Sequence, residues 1–391
     1  MTDLPTHQGN WNFPTPIRFG VGAIAGLGEA CQALGSHNPL IVTDPGLALL
    51  PPVGAAQEAC EAVGLGWGLF SDMRGNPVGE DVEAGVQAYR RGGHDGVVAL
   101  GGGSAMDVGK AVGLMVGQDR PLWDFEDLDD WWTRVDVQGM APVVAVPTTS
   151  GTGSEVGRCS VIVDTREHRK VVIFHPRMLP GKVVCDPALT VGLPPAITAA
   201  VGMDALSHNL EAFCAPGFHP MADGIAVEGI RRIHRSLIRA FEVGTDLEAR
   251  ADMMVASTMG ATAFQKGLGA MHALSHPIGA ELDTHHGLTN AVVMPYVLIF
   301  NREAIADRIT VLARSLGIAP GFDGFLEWIL ALRQTLGIPP RLDALGFEKK
   351  HAALLAPRAA VDPTAATNPI PLSPRSLESL YEKALAGDLS P

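Results

Sequence analysis

Three short runs of aliphatic and β-branched residues each stop at a turn built from glycine, proline or hydroxyl side chains. They are Pro39-Leu40-Ile41-Val42-Thr43-Asp44, Gly96-Val97-Val98-Ala99-Leu100 and Pro142-Val143-Val144-Ala145-Val146. Apolar runs without in–out alternation suit strands buried on both faces, as in a parallel sheet. Helix-period stretches lie between them, at 22–34 and 80–91. Strand–helix alternation predicts an α/β layer with helices on both faces of one sheet. Two shorter runs, 161–164 and 171–173, read as a hairpin-like excursion.

The texture changes at Leu193-Pro194-Pro195. Beyond it strand-like runs nearly vanish, and helical stretches are expected at 196–214, 220–241, 247–266, 268–280, 288–300, 302–316 and 322–336. The expected organisation is therefore an α/β domain over 1–193 and an all-helical domain over 194–391, with a ligand cleft between them.

Composition narrows the function classes. The 391 residues are enough for two or three domains at roughly 150 residues each. The chain is 47% hydrophobic and 18% charged, a globular composition. A net charge of −13 and a pI near 5.4 argue against nucleic acid or an anionic membrane as partner. Cys31, Cys60, Cys159, Cys185 and Cys214 show no zinc-knuckle or redox spacing, so buried thiols in a reduced, cytoplasmic setting are expected. The first residues, MTDLPTHQGNWNF, lack the basic and apolar regions of a secretory signal, and no apolar stretch reaches the ~18 residues of a membrane span.

Gly101-Gly102-Gly103-Ser104 follows one strand run and precedes a helix expected from about Ala105. Glycines let a backbone approach a pyrophosphate, and a helix N-terminus offers free N–H groups to it. A tight strand–helix turn explains the same residues without a ligand. The run is neither the common dinucleotide fingerprint nor a Walker loop, because Lys110 is wrongly spaced. A second loop, Pro147 to Ser154, carries several hydroxyls and two glycines in what reads as another strand-to-helix position. Two such loops at neighbouring strand ends point to a nucleotide. Asp44 ends the first strand run. It suits either a ribose, with preference for NAD over NADP, or a turn before Pro45-Gly46.

Asp204 and His208 stand four residues apart, as do His272 and His276, and His286 follows in His285-His286-Gly287. Residues at i and i+4 share one helix face. Two such pairs plus a loop histidine can converge on one divalent cation, and imidazole with carboxylate suits Fe(II), Zn(II), Co(II) or Ni(II). Spacing alone leaves open which of His272 and His276 is a ligand. The one left over would serve as a proton relay or support.

At this point several ordered motifs resemble one family. Gly101-Gly102-Gly103-Ser104-Ala105-Met106-Asp107, Pro147-Thr148-Thr149-Ser150-Gly151-Thr152-Gly153-Ser154-Glu155-Val156 and Gly202-Met203-Asp204-Ala205-Leu206-Ser207-His208 are similar to segments of the iron-containing (group III) alcohol dehydrogenases. So are His272-Ala273-Leu274-Ser275-His276-Pro277-Ile278-Gly279-Ala280 and Thr284-His285-His286-Gly287. The likeness runs from about Phe13 to Asn368-Pro369. It implies a dehydroquinate synthase-like architecture: an α/β nucleotide-binding domain followed by an all-α metal-binding domain. The implied metal ligands are Asp204, His208, His272 and His286, with His276 as the catalytic proton relay. The implied NAD contacts are Asp44, Asn76, Gly101, Gly102, Gly103, Ser104, Asp107, Thr148, Thr149 and Thr152. Fe(II) is the implied metal, with Zn(II) the alternative, and a homodimer or larger homo-oligomer is the implied assembly.

The resemblance predicts reversible hydride transfer between a small alcohol and NAD. One departure bears on the substrate. Where the family continues Ser-Glu-Val-Thr, this chain reads Ser154-Glu155-Val156-Gly157-Arg158-Cys159. Arg158 suits either a clamp on an anionic substrate or a structural ion pair. Cys159, Phe264, Leu268 and Thr364 are the other substrate-pocket candidates. The rivals are a glycerol dehydrogenase-like or dehydroquinate synthase-like activity on the same fold, a metal hydrolase that needs no nucleotide, and a non-catalytic interaction protein.

Overall fold

The computed structural model describes residues 15–167 and 169–390. The stretch before Thr15, including the N-terminal reading and the start of the family likeness at Phe13, lies outside the described residues. Eight strands fall in the first half: β1 (Ile17–Phe19), β2 (Pro39–Val42), β3 (Gly68–Phe70), β4 (Gly96–Gly101), β5 (Val143–Pro147), β6 (Cys159–Asp164), β7 (Arg169–Phe174) and β8 (Lys182–Cys185). Six of them form one parallel sheet in the order β1-β8-β5-β4-β2-β3, and β6 and β7 pair antiparallel as a separate hairpin. The α/β sheet and the hairpin are as expected. The short strands β1, β3 and β8 are additions; β1 and β3 carry three residues each and offer too little periodicity to read.

Four helices cover the sheet: α1 (Leu27–Ala33), α2 (Pro51–Glu61), α3 (Gly79–Arg91) and α4 (Gly103–Met115). Val97, Ala99, Val143 and Ala145 pack into one apolar cluster, while Val98, Leu100, Val144 and Val146 pack into another. Alternate residues of β4 and β5 thus enter different cores. Both faces are buried, which is why these runs show no polar alternation. Each buried valine or leucine stabilises the layer by about 1.5–3 kcal/mol.

The helical half contains α5 (Pro195–Cys214), α6 (Pro220–Glu242), α7 (Leu247–Ala263), α8 (Ala270–Leu282), α9 (His286–Leu316), α10 (Gly321–Thr335), α11 (Lys349–Ala360) and α12 (Pro374–Ala386). α5 is buried on nearly every side, from Thr198 to Cys214. A helix apolar all round belongs at the centre of a bundle, and α6, α7 and α9 pack around it. The expected break between 288–300 and 302–316 is absent, since α9 runs unbroken for 31 residues. Asn301, the residue between the two expected stretches, is buried. It exchanges amide hydrogen bonds with Asn368, at 3.0 and 2.8 Å, so the helix continues through it. No single described helix is long and apolar enough to cross a membrane.

Candidate metal centre and nucleotide crevice

Asp204 and His208 lie one turn apart on α5, His272 lies in the first turn of α8, and His286 opens α9. One ligand atom from each of these four residues lies within 4.8 Å of the other three. That spread matches donors around a single cation bonded at roughly 2.0–2.2 Å. His276 is outside this group. Its ring stacks on His286, with centroids 5.2 Å apart.

Each of the three clustered imidazoles is tied at Nδ1 to a group outside the cluster. His272 Nδ1 bonds Glu211 Oε2 at 2.6 Å, His286 Nδ1 bonds Ser275 Oγ at 3.2 Å, and His208 Nδ1 bonds the Gly151 carbonyl at 3.3 Å. A proton held on Nδ1 leaves Nε2 with a lone pair, the form a metal requires. Burial lowers the pKa of His208 to about 4. Burial, then the neighbouring His272, His276 and Lys170, hold His286 well below the usual imidazole range. Burial also opposes charge on His272, but the Glu211 carboxylate outweighs it and raises this imidazole. Three imidazoles and one carboxylate with no thiolate fit a borderline divalent ion such as Fe(II) or Zn(II).

Glu211, Ser275, Asn290, Asp362 and Lys170 are functional neighbours that the sequence reading missed. Glu211 had a legible signal: it follows His208 by three and Asp204 by seven, on the same face of α5. Asn290 follows His286 by four on α9. Asp362 had none. It lies far along the chain, yet its Oδ2 bonds His276 Nδ1 at 2.8 Å. Burial pushes Asp362 up, but His276 and Thr364 together hold it below the ordinary carboxylate range. Thr364 donates to Asp362 Oδ1 from both its amide (2.9 Å) and its hydroxyl (2.5 Å).

The other half supplies a point where the strand order reverses. The chain steps from β2 outward to β3, then returns to the opposite side of β2 as β4. Open α/β sheets bind ligands where the strand order reverses in this way. Asp44 follows β2 and Gly101-Gly102-Gly103-Ser104 follows β4, so both stand at that reversal. Gly101 has φ +148°, a conformation that favours glycine. A side chain at Gly103 would meet Thr152 Oγ1 at 2.6 Å, so the two expected loops touch. Thr148 joins them as well, donating its N–H to the Gly101 carbonyl at 3.0 Å. Thr149 packs beside Gly102. Asp44 Oδ1 accepts the Leu47 N–H at 3.0 Å, which makes it a turn former, while Oδ2 lies toward Gly101. Ser104 Oγ donates to the Gly75 carbonyl.

Three expectations meet a different setting. The 147–154 loop is not followed by a helix: a three-residue 3₁₀ turn at Ser154–Val156 leads straight into β6. Asp107 faces inward, accepting from Ser154 Oγ at 2.6 Å and Val161 N at 2.9 Å, with the Lys110 ammonium 3.5 Å away. Asn76 spends its amide on Asp283 Oδ1, 2.6 Å away at the end of α8.

Among the substrate candidates, Phe264 lies 5.2 Å ring-to-ring from His208, and Thr364 reaches His276 through Asp362. Leu268 lines a small, partly open pocket beside Glu211. Cys159 opens β6, its thiol pushed up by burial and its carbonyl bonded to Lys110. Arg158 carries no carboxylate salt bridge among the described residues; its guanidinium lies 5.6 Å above the Phe174 ring. Its charge nevertheless acts on the half-buried Asp127 carboxyl, opposing the rise that burial causes there. Lys170, on β7, packs its ammonium against α8 at Gly279, and burial lowers its pKa despite Asp107, Asp204, Asp283 and Asp362 around it.

Two sequence families match the chain, "iron-containing alcohol dehydrogenase" over residues 14–187 and "Fe-containing alcohol dehydrogenase family, C-terminal" over 198–385. The chain belongs to the iron-containing alcohol dehydrogenase family and is an oxidoreductase of the alcohol dehydrogenase class. It is 39% identical to a 4-hydroxybutyrate dehydrogenase of Cupriavidus necator, over 95% of this chain and 98% of that protein. The crystal structure of a 1,3-propanediol oxidoreductase superimposes with TM-score 0.92 at 32% identity, covering 97% of this chain and all of that one. A sulfoacetaldehyde reductase from Bifidobacterium kashiwanohense, solved with NAD+, gives TM-score 0.87 at 29% identity over 97% of this chain and all of that one. These matches set aside the hydrolase and the non-catalytic alternatives.

Proposed function

We propose that this chain interconverts a small alcohol and its carbonyl partner, using NAD as hydride carrier and the Asp204–His208–His272–His286 cluster as metal centre. The carrying observation is the convergence of those four ligand atoms within 4.8 Å. The metal-bearing helices and the nucleotide crevice meet at one loop. Its Gly151 carbonyl bonds His208 and its Thr152 packs on Gly103. A divalent cation held there acts as a Lewis acid that polarises the substrate oxygen, with Fe(II) the expected ion and Zn(II) the alternative. The remaining chemistry belongs to protein groups. Asp362 keeps the His276 proton on Nδ1, so Nε2 is free to take up the proton released from the alcohol. Gly101 to Ser104 and the start of α4 receive the pyrophosphate, and Thr148, Thr149 and Thr152 border the nicotinamide end. Asp44 Oδ2 reads the adenine ribose and disfavours a 2′-phosphate, while Asn76 and Asp107 support the loops on either side.

We read the working units as 1–193 for the nucleotide and 194–391 for the metal, assembled as a homodimer or larger homo-oligomer. An anionic substrate is the favoured subclass. Two of the similar proteins are named for substrates that carry a carboxylate or a sulfonate, and Arg158 has no carboxylate within salt-bridge distance among the described residues, its charge being felt only by Asp127. The test is a panel of neutral and anionic alcohols and aldehydes, with glycerol included, assayed by NADH absorbance in the presence of Fe(II) or Zn(II). Metal-dependent turnover with NAD on at least one alcohol is expected. No turnover across the panel despite bound metal and NADH defeats the reading.

A further inference from the structure

Asn290 is fully buried one turn along α9 from His286, and its side-chain amide points into the candidate metal cluster. Its Nδ2 lies 2.9 Å from Asp204 Oδ1, 3.1 Å from His286 Nε2 and 3.3 Å from His272 Nε2. Asp204 Oδ1 is an acceptor, and the two Nε2 atoms are acceptors in the tautomers that keep the proton on Nδ1, toward Glu211 Oε2 and Ser275 Oγ. Turning the amide over would set its oxygen against three lone pairs, so the nitrogen must face inward. The consequence is that Asn290 Oδ1 is left buried without a hydrogen-bond partner. An orphaned buried carbonyl is destabilising, and an apolar residue of similar volume would avoid it. The amide nitrogen is what the position needs.

We propose that Asn290 is a positioning residue of the metal centre. Its amide N–H groups gather the acceptors of the cluster when no cation is present. When a cation takes the imidazole lone pairs, Asp204 Oδ1 is the one acceptor of the three still open to the amide. Asn290 then fixes the rotation of the only carboxylate in the set. This rests on the metal-centre reading above, and the two can fail separately.

The test uses the full chain, stripped with a chelator and titrated with Zn(II), then with Co(II) as a spectroscopic probe. Asn290→Leu removes the donor and keeps the volume. It is expected to weaken Zn(II) binding about 10- to 100-fold, the usual effect of removing a group that orients a ligand. The visible Co(II) bands should also change in shape, because the carboxylate loses its fixed orientation. If the leucine variant does not fold, Asn290→Ser, which is smaller and keeps one donor, is expected to give a smaller loss in the same direction. Wild-type binding with unchanged affinity and Co(II) spectrum in the folded variants overturns the Asn290 assignment alone. Absence of metal binding by the wild-type chain removes the metal centre and this proposal with it.

Discussion

At the scale of single residues, the site is governed by what each histidine does with its second nitrogen. Glu211 accepts a hydrogen bond from His272 Nδ1 and also accepts the Met271 N–H at 2.7 Å, so it fixes both ring and helix start. Glu211→Gln keeps the shape and loses the charge. We expect metal affinity to fall about 10- to 100-fold, measured by competition with a chromophoric chelator. Unchanged affinity would show that the carboxylate contributes only packing. Arg158 tests the substrate. Arg158→Ala should raise KM for an anionic alcohol about tenfold or more and leave a neutral alcohol's KM unchanged, since a charge-assisted contact is worth about 1.5–3 kcal/mol. Equal effects on both substrates would eliminate the anion clamp. The i, i+4 spacing made Asp204 and His208 legible, and it left the choice between His272 and His276 open. Both face the centre of the molecule, and only the fold stations His276 beside Asp362, 86 residues away.

At the scale of elements, α5, which carries two of the candidate ligands, is held in place by α6 and α7. Asp252 on α7 is nearly buried and accepts from Arg232, Arg235 and Ser236 on α6, with contacts of 2.5–2.9 Å. Burial pushes its carboxyl up, but Arg235, Ser236 and Arg232 outweigh burial and hold it below its ordinary range. A folded pKa below the unfolded value, about 3.9, means that this stabilisation is complete above that value. It is lost as pH falls through the folded one. Asp252→Asn should therefore lower stability by about 1–3 kcal/mol at neutral pH, with the deficit shrinking in acid. Urea unfolding of both chains at neutral pH and near pH 3 measures it; a pH-independent deficit would contradict the ionic account. The helices α6 and α7 were legible from their period. The continuity of α9 was not, since the pairing of the buried Asn301 with Asn368, 67 residues on, is a tertiary contact.

At the scale of the molecule, the proposed metal ligands come from α5, α8 and α9, while the nucleotide loops belong to the sheet. A bound cation at 100 times its Kd adds about 2.7 kcal/mol to stability. Chelation should thus lower Tm and abolish turnover, while NADH still binds and still gives its fluorescence change. Loss of NADH binding together with metal would mean that the two sites are one cooperative unit. The halves touch at several places, among them Gly151–His208, Glu155–Thr258 and Asn76–Asp283, but the four candidate ligands and the 101–104 turn lie in different halves, which is why independence is expected.

What the linear order of residues decided was periodic or local. Apolar runs stopping at glycine, proline or hydroxyl turns specified buried strands of an α/β sheet, and fourfold spacing put candidate ligands on one helix face. Such signals need only backbone geometry, which repeats every two or every 3.6 residues. Tertiary structure decided everything that depends on separations of dozens to hundreds of residues. It chose which histidine joins the cluster, set Asp362 behind His276, turned Asp107 inward and pointed Asn290 at the ligands. Those contacts arise from close packing of whole helices, and no local period encodes which buried polar group will meet which.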